Sequence, residues 1–146
     1  MIALGSDHGG FPLKERIKAY LDKEGIAYRD YGCDSTDSCD YPIYGKAAAE
    51  AVADGTCEKG IVICTTGIGI SIAANKVKGI RCALLDNPMS ARLTREHNDT
   101  NMMAIGAGVT GAIILGGPGA VFWMWLIALL GGATAFTEST LAQIYK

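Results

Sequence analysis

The sequence predicts an α/β protein, a doubly wound parallel sheet in three layers with helices on both faces. Three observations carry this. Short apolar runs alternate with amphipathic, helix-spaced runs over about the first 106 residues, the pattern of strands buried on both faces by crossover helices. The apolar run 60–63 passes directly into Cys-Thr-Thr-Gly-Ile-Gly-Ile-Ser at 64–71, a glycine-bearing turn between a strand and a helix. A chain of 146 residues with a formal net charge of −2 is long enough for one core and short for two.

The elements follow in order. Residues 1–6 form a short buried strand that ends in the turn Asp7-His8-Gly9-Gly10. Leu13, Ile17, Tyr20 and Leu21 then recur at helical spacing among Lys14, Glu15, Arg16 and Lys18. A second strand is expected at 27–31, a polar loop at 32–41, and an alanine-rich helix at 42–54 that opens on Pro42. The strand before Cys64 is followed by a helix over 72–77, a strand at 81–85, a helix from 88 to about 96 and a strand at 102–105. Ligands of such sheets bind at the carboxyl ends of the strands, near a switch in strand order. Asp7, His8, Cys64, Thr66 and His97 fall where loops of that edge are expected to converge.

The run 64–71 offers a negatively charged ligand a bed of amides, Gly67, Ile68, Gly69, Ile70 and Ser71. Its two glycines allow close backbone approach, and the following helix adds its unpaired N–H groups. Cys64 at its lip reads either as a base or as core packing, since cysteine is among the most buried residue types. Nucleotide sites are disfavoured: Ile72 stands where a dinucleotide fingerprint needs a third small residue, and no Lys-Ser/Thr pair completes a Walker loop. Asp7-His8 reads as a handle for sugar hydroxyls or as a helix cap, and His97 as a functional group or as a cation at a helix end. No basic stripe supports nucleic acid binding. The five cysteines (Cys33, Cys39, Cys57, Cys64, Cys82) lack a zinc-type spacing and follow no secretory signal, so they read as cytoplasmic thiols with no metal site.

Gly-Ser-Asp-His-Gly-Gly at 5–10, Asp-Tyr-Pro at 40–42, the block 60–76, Gly-Ile-Arg at 79–81 and the block 95–106 together resemble ribose-5-phosphate isomerase of type B. The galactose-6-phosphate isomerase subunits share that family and its Rossmann-like, flavodoxin-like fold. The resemblance implies a cofactor-free aldose–ketose isomerase for a small phosphorylated sugar, a homodimer with sites at the subunit interface. It further implies that Cys64 moves the proton between C1 and C2, its thiolate favoured by the adjacent amides. Thr66 would assist at the hydroxyl, and the amides from Gly67 to Ser71 would stabilise the enediolate. His97 would open the furanose ring, with Asp7, His8, Tyr41 and Asn98 placing hydroxyls and phosphate. The alternatives are a galactose-6-phosphate isomerase subunit and a non-catalytic phosphosugar-binding or membrane-tethered remnant. Thr65 departs from the glycine that the family commonly has between Cys and Thr.

The family pattern stops near residue 106. Its later arginines, which help to bind the substrate phosphate, have no counterpart, since no arginine follows Arg95. From Thr100 through Thr137 there is no charged side chain. Residues 108–146, above all Gly-Gly-Pro-Gly-Ala-Val-Phe-Trp-Met-Trp at 116–125, resemble an internal piece of a sodium:alanine symporter. The expectation is a chimera: an isomerase domain at 1–107 and a hydrophobic tail at 108–146 that is no independent domain. Residues 112–136 are long and apolar enough to span a bilayer, but Trp123 and Trp125 sit near the middle of that stretch, away from the ends where interfacial tryptophans belong. An atypical hydrophobic helix at 122–130, packed over the sheet, is the favoured reading.

Overall fold

The computed structural model describes residues 1–109. Five strands, β1 (Ile2–Ser6), β2 (Tyr28–Asp30), β3 (Lys59–Cys64), β4 (Cys82–Leu84) and β5 (Met102–Gly106), form one parallel sheet in the order β2-β1-β3-β5-β4. Four helices connect them: α1 (Phe11–Lys23), α2 (Tyr41–Ala53), α3 (Ile68–Asn75) and α4 (Pro88–Asn98). The expected three-layer α/β architecture is therefore present. Its last two strands are exchanged: β5 lies between β3 and β4, so the chain runs to the sheet edge at β4 before turning back.

Strand side chains alternate between the two faces, and the two cores differ in grain. Ile2, Leu4, Ile61, Ile63, Met103 and Ile105 meet Leu13, Ile17 and Leu21 of α1 and Ala91 of α4. On the opposite face Ala3, Val62, Cys64, Met102 and Ala104 meet Ala48, Ala49 and Val52 of α2 and Ile70 and Ala74 of α3. Small residues bring α2 close to the sheet: a β-carbon on Gly5 would stand 2.8 Å from the Tyr44 carbonyl oxygen.

Two local readings change. The helix expected at 72–77 begins four residues earlier, because Gly67 takes a left-handed conformation (φ 77°) and turns the chain into α3 at once. Lys14, read as one of the polar residues of α1, is only 2% exposed. Its Nζ donates to Asp30 Oδ2 at 2.6 Å and to the Cys33 carbonyl at 2.7 Å, which fastens β2 and the following loop to α1. The Lys18 ammonium joins the same Asp30 oxygen at 3.0 Å. The hydrophobic helix expected at 122–130 and nearly all of the proposed tail lie outside the described residues. Among the described residues no helix is long and apolar enough to cross a membrane.

Candidate active site

The strand order reverses beside β1. The chain leaves it for β2 on one side and reaches β3 on the other, so the carboxyl ends of β1 and β3 flank a switch point. Ser6 is paired with Ile63 there, and the segments that follow, Asp7-His8-Gly9 and Cys64-Thr65-Thr66, lie side by side. Gly9 has no β-carbon because Thr65 occupies that space; the Thr65 hydroxyl oxygen would overlap one. The third wall comes from the residues just after β5, where the Ala107 and Gly108 amides donate to the Cys64 and Thr65 carbonyls, each at 2.9 Å.

Cys64 ends β3, 4% exposed, with its Sγ accepting the Gly67 N–H at 3.1 Å. Such a bond strengthens once the sulfur carries negative charge. Gly67 then caps α3, and the backbone N–H groups of Gly69 and Ile70 belong to the first turn, where a helix supplies no acceptor of its own. The Thr66 hydroxyl oxygen accepts the Ile68 N–H at 3.3 Å, which leaves its hydrogen available to a ligand oxygen. Ser71 is different from the rest of the run. Its amide donates to the Gly67 carbonyl at 3.1 Å and its hydroxyl to the Ile68 carbonyl at 2.7 Å, so both hydrogens are committed inside the helix. The Gly67 and Ile68 amides are likewise engaged, by Cys64 Sγ and the Thr66 hydroxyl oxygen, so the amides left for a ligand are those of Gly69 and Ile70. Ile68 is 52% exposed, and the Ile70 side chain is fully buried, so what Ile70 can offer a polar ligand is backbone.

Around this loop stand the other expected residues. Asp7, 5% exposed, accepts the Gly10 N–H through Oδ1 at 3.0 Å, shaping the turn that precedes α1. The Cys39 backbone holds His8 in place: its N–H donates to His8 Nδ1 at 3.1 Å, and its carbonyl oxygen lies 3.2 Å from the same ring nitrogen. Tyr41 opens α2 and leans on α3, where a β-carbon on Gly69 would stand 2.6 Å from its ring. Tyr41, Gly69, Ile72 and Lys76 also line a cleft of about 240 Å³ between α2 and α3. Cys39 was not among the expected site residues. It lies 31 positions from His8, and no spacing in the sequence marks the pair.

His97 and Asn98 are not brought to this edge. They close α4, which descends from the carboxyl end of β4, and the next residues run into the amino end of β5. The Asp99 carbonyl accepts the Arg81 Nη2–H at 2.7 Å and the Asn101 amide donates to the Arg81 carbonyl at 3.1 Å, just before β4. Cys64 is paired with Gly106 at the other end of β5, four residue steps of about 3.3 Å beyond Met102. The expectation that both histidines stand at one sheet mouth is corrected: His97 and Asn98, both exposed, occupy the opposite edge of the same chain. Arg92 pairs with Glu96, Arg95 with Asp99, and Arg81 with Asp99.

Residues 2–115 match the family model described as Ribose/Galactose Isomerase, and residues 102–146 match that of the Sodium:alanine symporter family. Over 110 residues the chain is 51% identical to ribose-5-phosphate isomerase B of Escherichia coli, covering 75% of this chain and 74% of that one. It is 43% identical over 111 residues to galactose-6-phosphate isomerase subunit LacB of Clostridium acetobutylicum, covering 76% and 64%. Among solved structures, that of Clostridium thermocellum ribose-5-phosphate isomerase B superposes with a TM-score of 0.80 at 49% identity, over 86% of this chain and 82% of that one.

Proposed function

Since this chain belongs to the ribose/galactose isomerase family, we propose that it is a sugar-phosphate isomerase whose reaction is the interconversion of ribose 5-phosphate and ribulose 5-phosphate. The observation that carries the reading is Cys64, a thiol at the switch point held by the amide that opens α3. With the aldose open, the Cys64 thiolate takes the proton from C2, and electrons move into an enediolate with charge on O1. The first-turn amides of Gly69 and Ile70 stabilise that charge where it develops. The Thr66 hydroxyl hydrogen serves the exchange between O1 and O2, and the Cys64 thiol returns its proton to C1. Asp7, His8 and Tyr41 position the hydroxyls. No metal or cofactor is needed, because charge develops only on oxygens that amides and hydroxyls can serve.

Within one chain His97 is at the wrong edge to open the ring over Cys64. We assign it, with Asn98, to the site of a second copy, so that the working unit is a homodimer. Exposed Ile43, Ile68 and Ile72 on α2 and α3 (64%, 52% and 54%) give a second copy an apolar surface beside the site. The phosphate binds weakly in this reading, since no arginine follows Arg95 and the arginines at 81, 92 and 95 are paired with carboxylates. The family pattern to about residue 107, with the symporter-like sequence after it, we read as a chimera with its junction inside the overlap of the two matches, 102–115.

Cys64→Ser is the direct test. The hydroxyl preserves an acceptor for the Gly67 amide but is a far weaker acid, so kcat with ribose 5-phosphate falls by about a hundred-fold or more. An unchanged kcat rejects Cys64 as the base. The similarity to the galactose-6-phosphate isomerase subunit supports a second reading. Under it, this chain alone is inactive on ribose 5-phosphate and needs a different subunit.

A further inference from the structure

Among the described residues Asp99 is the one non-glycine with a positive φ (45°), and it directly follows His97 and Asn98. A left-handed residue past a helix end is ordinarily glycine, because a β-carbon makes that conformation costly. Here an aspartate stands, and two arginines grip it. Arg81 donates from Nε at 3.0 Å and from Nη2 at 2.7 Å to the Asp99 carbonyl, and its Nη2 reaches the Asp99 Oδ2 at 3.2 Å. Arg95, one turn back on α4, donates from Nη1 to Asp99 Oδ1 at 3.0 Å and to the Thr100 carbonyl. The turn that carries Arg81 is fastened to the same stretch: Asn101 Oδ1 accepts the Arg81 N–H at 2.8 Å, and Asn101 Nδ2 donates to the Gly79 carbonyl at 2.9 Å. Arg81 and Asp99 are 51% and 75% exposed, and charge pairs so open to water add little stability. What Arg81 fixes is direction, since a planar guanidinium that straddles a carbonyl and a carboxylate holds both in one arrangement. His97 and Asn98 are exposed, and where they point follows from the backbone that carries them.

We propose that Arg81 and Asp99 are a positioning pair for His97 and Asn98, holding the end of α4 in a strained turn that presents both side chains to the site of a second copy. The inference rests on the assignment of His97 and Asn98 to that site. Strain of this kind persists only where the surrounding bonds over-determine it, and it gathers at functional sites. A helix end that needed only to stop would be served better by glycine. The step that depends on the pair is ring opening. It breaks the C1–O4 bond of the furanose, places a proton on O4 and removes one from O1, and a histidine serves that exchange only within hydrogen-bond reach of the oxygen. Ribulose 5-phosphate has no such ring to open, because the oxygen that would close it carries the phosphate. The two directions of the reaction therefore separate the work of this pair from that of Cys64.

The experiment compares the full-length parent with Arg81→Ala, Arg81→Lys and Asp99→Gly. It reads turnover of ribose 5-phosphate, exchange of a C1 hydrogen of ribulose 5-phosphate with deuterated water, and the heteronuclear NOE of the backbone amides. Arg81→Ala should lower kcat for ribose 5-phosphate by about ten-fold or more while exchange stays within about two-fold of the parent, the split between lost ring opening and intact proton transfer. Arg81→Lys, a single point donor, should fall between the two. Asp99→Gly eases the left-handed turn, so it should unfold at no lower urea concentration than the parent, yet without the carboxylate it should show the same split. Equal losses in both reactions, or none in either, overturn the positioning role. The NOE needs no sugar: in Arg81→Ala it should drop at Asn98 and Asp99 and hold at Ala91, and an unchanged value at Asn98 overturns the proposal whatever the turnover. A parent chain that neither converts nor exchanges refutes the isomerase reading, and the NOE then decides by itself whether Arg81 holds His97 and Asn98 in place.

Discussion

Thr65 sits against Gly9, and the pair explains how a bulkier residue enters a loop where the family commonly has glycine: the missing volume is across the cleft, on the β1 turn. The two positions are therefore coupled. Gly9→Val should displace Thr65 and with it Cys64, lowering kcat/KM by about ten-fold or more, while Gly9→Val with Thr65→Gly recovers most of the loss, a coupling of about 1–3 kcal/mol. Additive effects in that double-mutant cycle would show the contact to be irrelevant. The sequence made the departure at Thr65 visible, but its compensation lies 56 positions away and needed the parallel pairing of β1 with β3 to be seen. Ser71 teaches the reverse lesson. It ends a run that reads as one continuous cradle, yet it lies one helical turn past the cap, where the ladder of α3 consumes its amide.

At the scale of elements, Tyr28 of β2 packs against the apolar cluster of α1, and the Lys14 ammonium ties the two elements through Asp30. Burial works to raise the Asp30 carboxyl, but the bonds from Lys14, the Gly32 amide and Lys18 outweigh it and hold it below its ordinary value. A carboxylate held low in the folded chain stabilises the fold above its unfolded pKa of about 3.9, and this contribution is lost as pH falls through the lower folded value. Asp30→Asn leaves Lys14 buried without its principal counter-charge and should cost about 2–4 kcal/mol in urea unfolding at neutral pH. In the variant the loss of stability between about pH 5 and pH 2 should also be shallower than in the parent. Equal stability at pH 7 would show that the Cys33 carbonyl and Glu15, whose Oε1 lies 3.3 Å from the Lys14 Nζ, suffice for Lys14. The sequence placed the helix and the strand well, because their apolar spacing is local. It misread Lys14, since a lysine on an amphipathic helix is ordinarily at the surface and only the close approach of β2 encloses it.

For the whole molecule, the decisive fact is the separation of His97 from Cys64 by the height of the sheet. If a second copy supplies His97, mixing Cys64→Ala and His97→Ala chains, each nearly inactive alone, should regenerate sites through heterodimers. About half the dimers would be mixed, each with one intact site, so roughly a quarter of parental activity is expected. No recovery, with mixed dimers demonstrated by mass, would eliminate the shared site. Replacing residues 108–146 with a family-like C-terminus bearing its arginines should lower KM for ribose 5-phosphate by about ten-fold or more with little change in kcat. That is the pattern of restored binding without new transition-state contacts. An unchanged KM would mean that the amides alone hold the phosphate. The sequence by itself determined the strand and helix inventory, the amide loop behind Cys64, the isomerase family and the change of composition near residue 106, because each is written in neighbouring residues. Only the tertiary structure decided the order β2-β1-β3-β5-β4 and the side of the sheet on which each loop emerges. Both depend on packing between distant segments, and they put Asp7, His8 and Cys64 at one edge while sending His97 to the other.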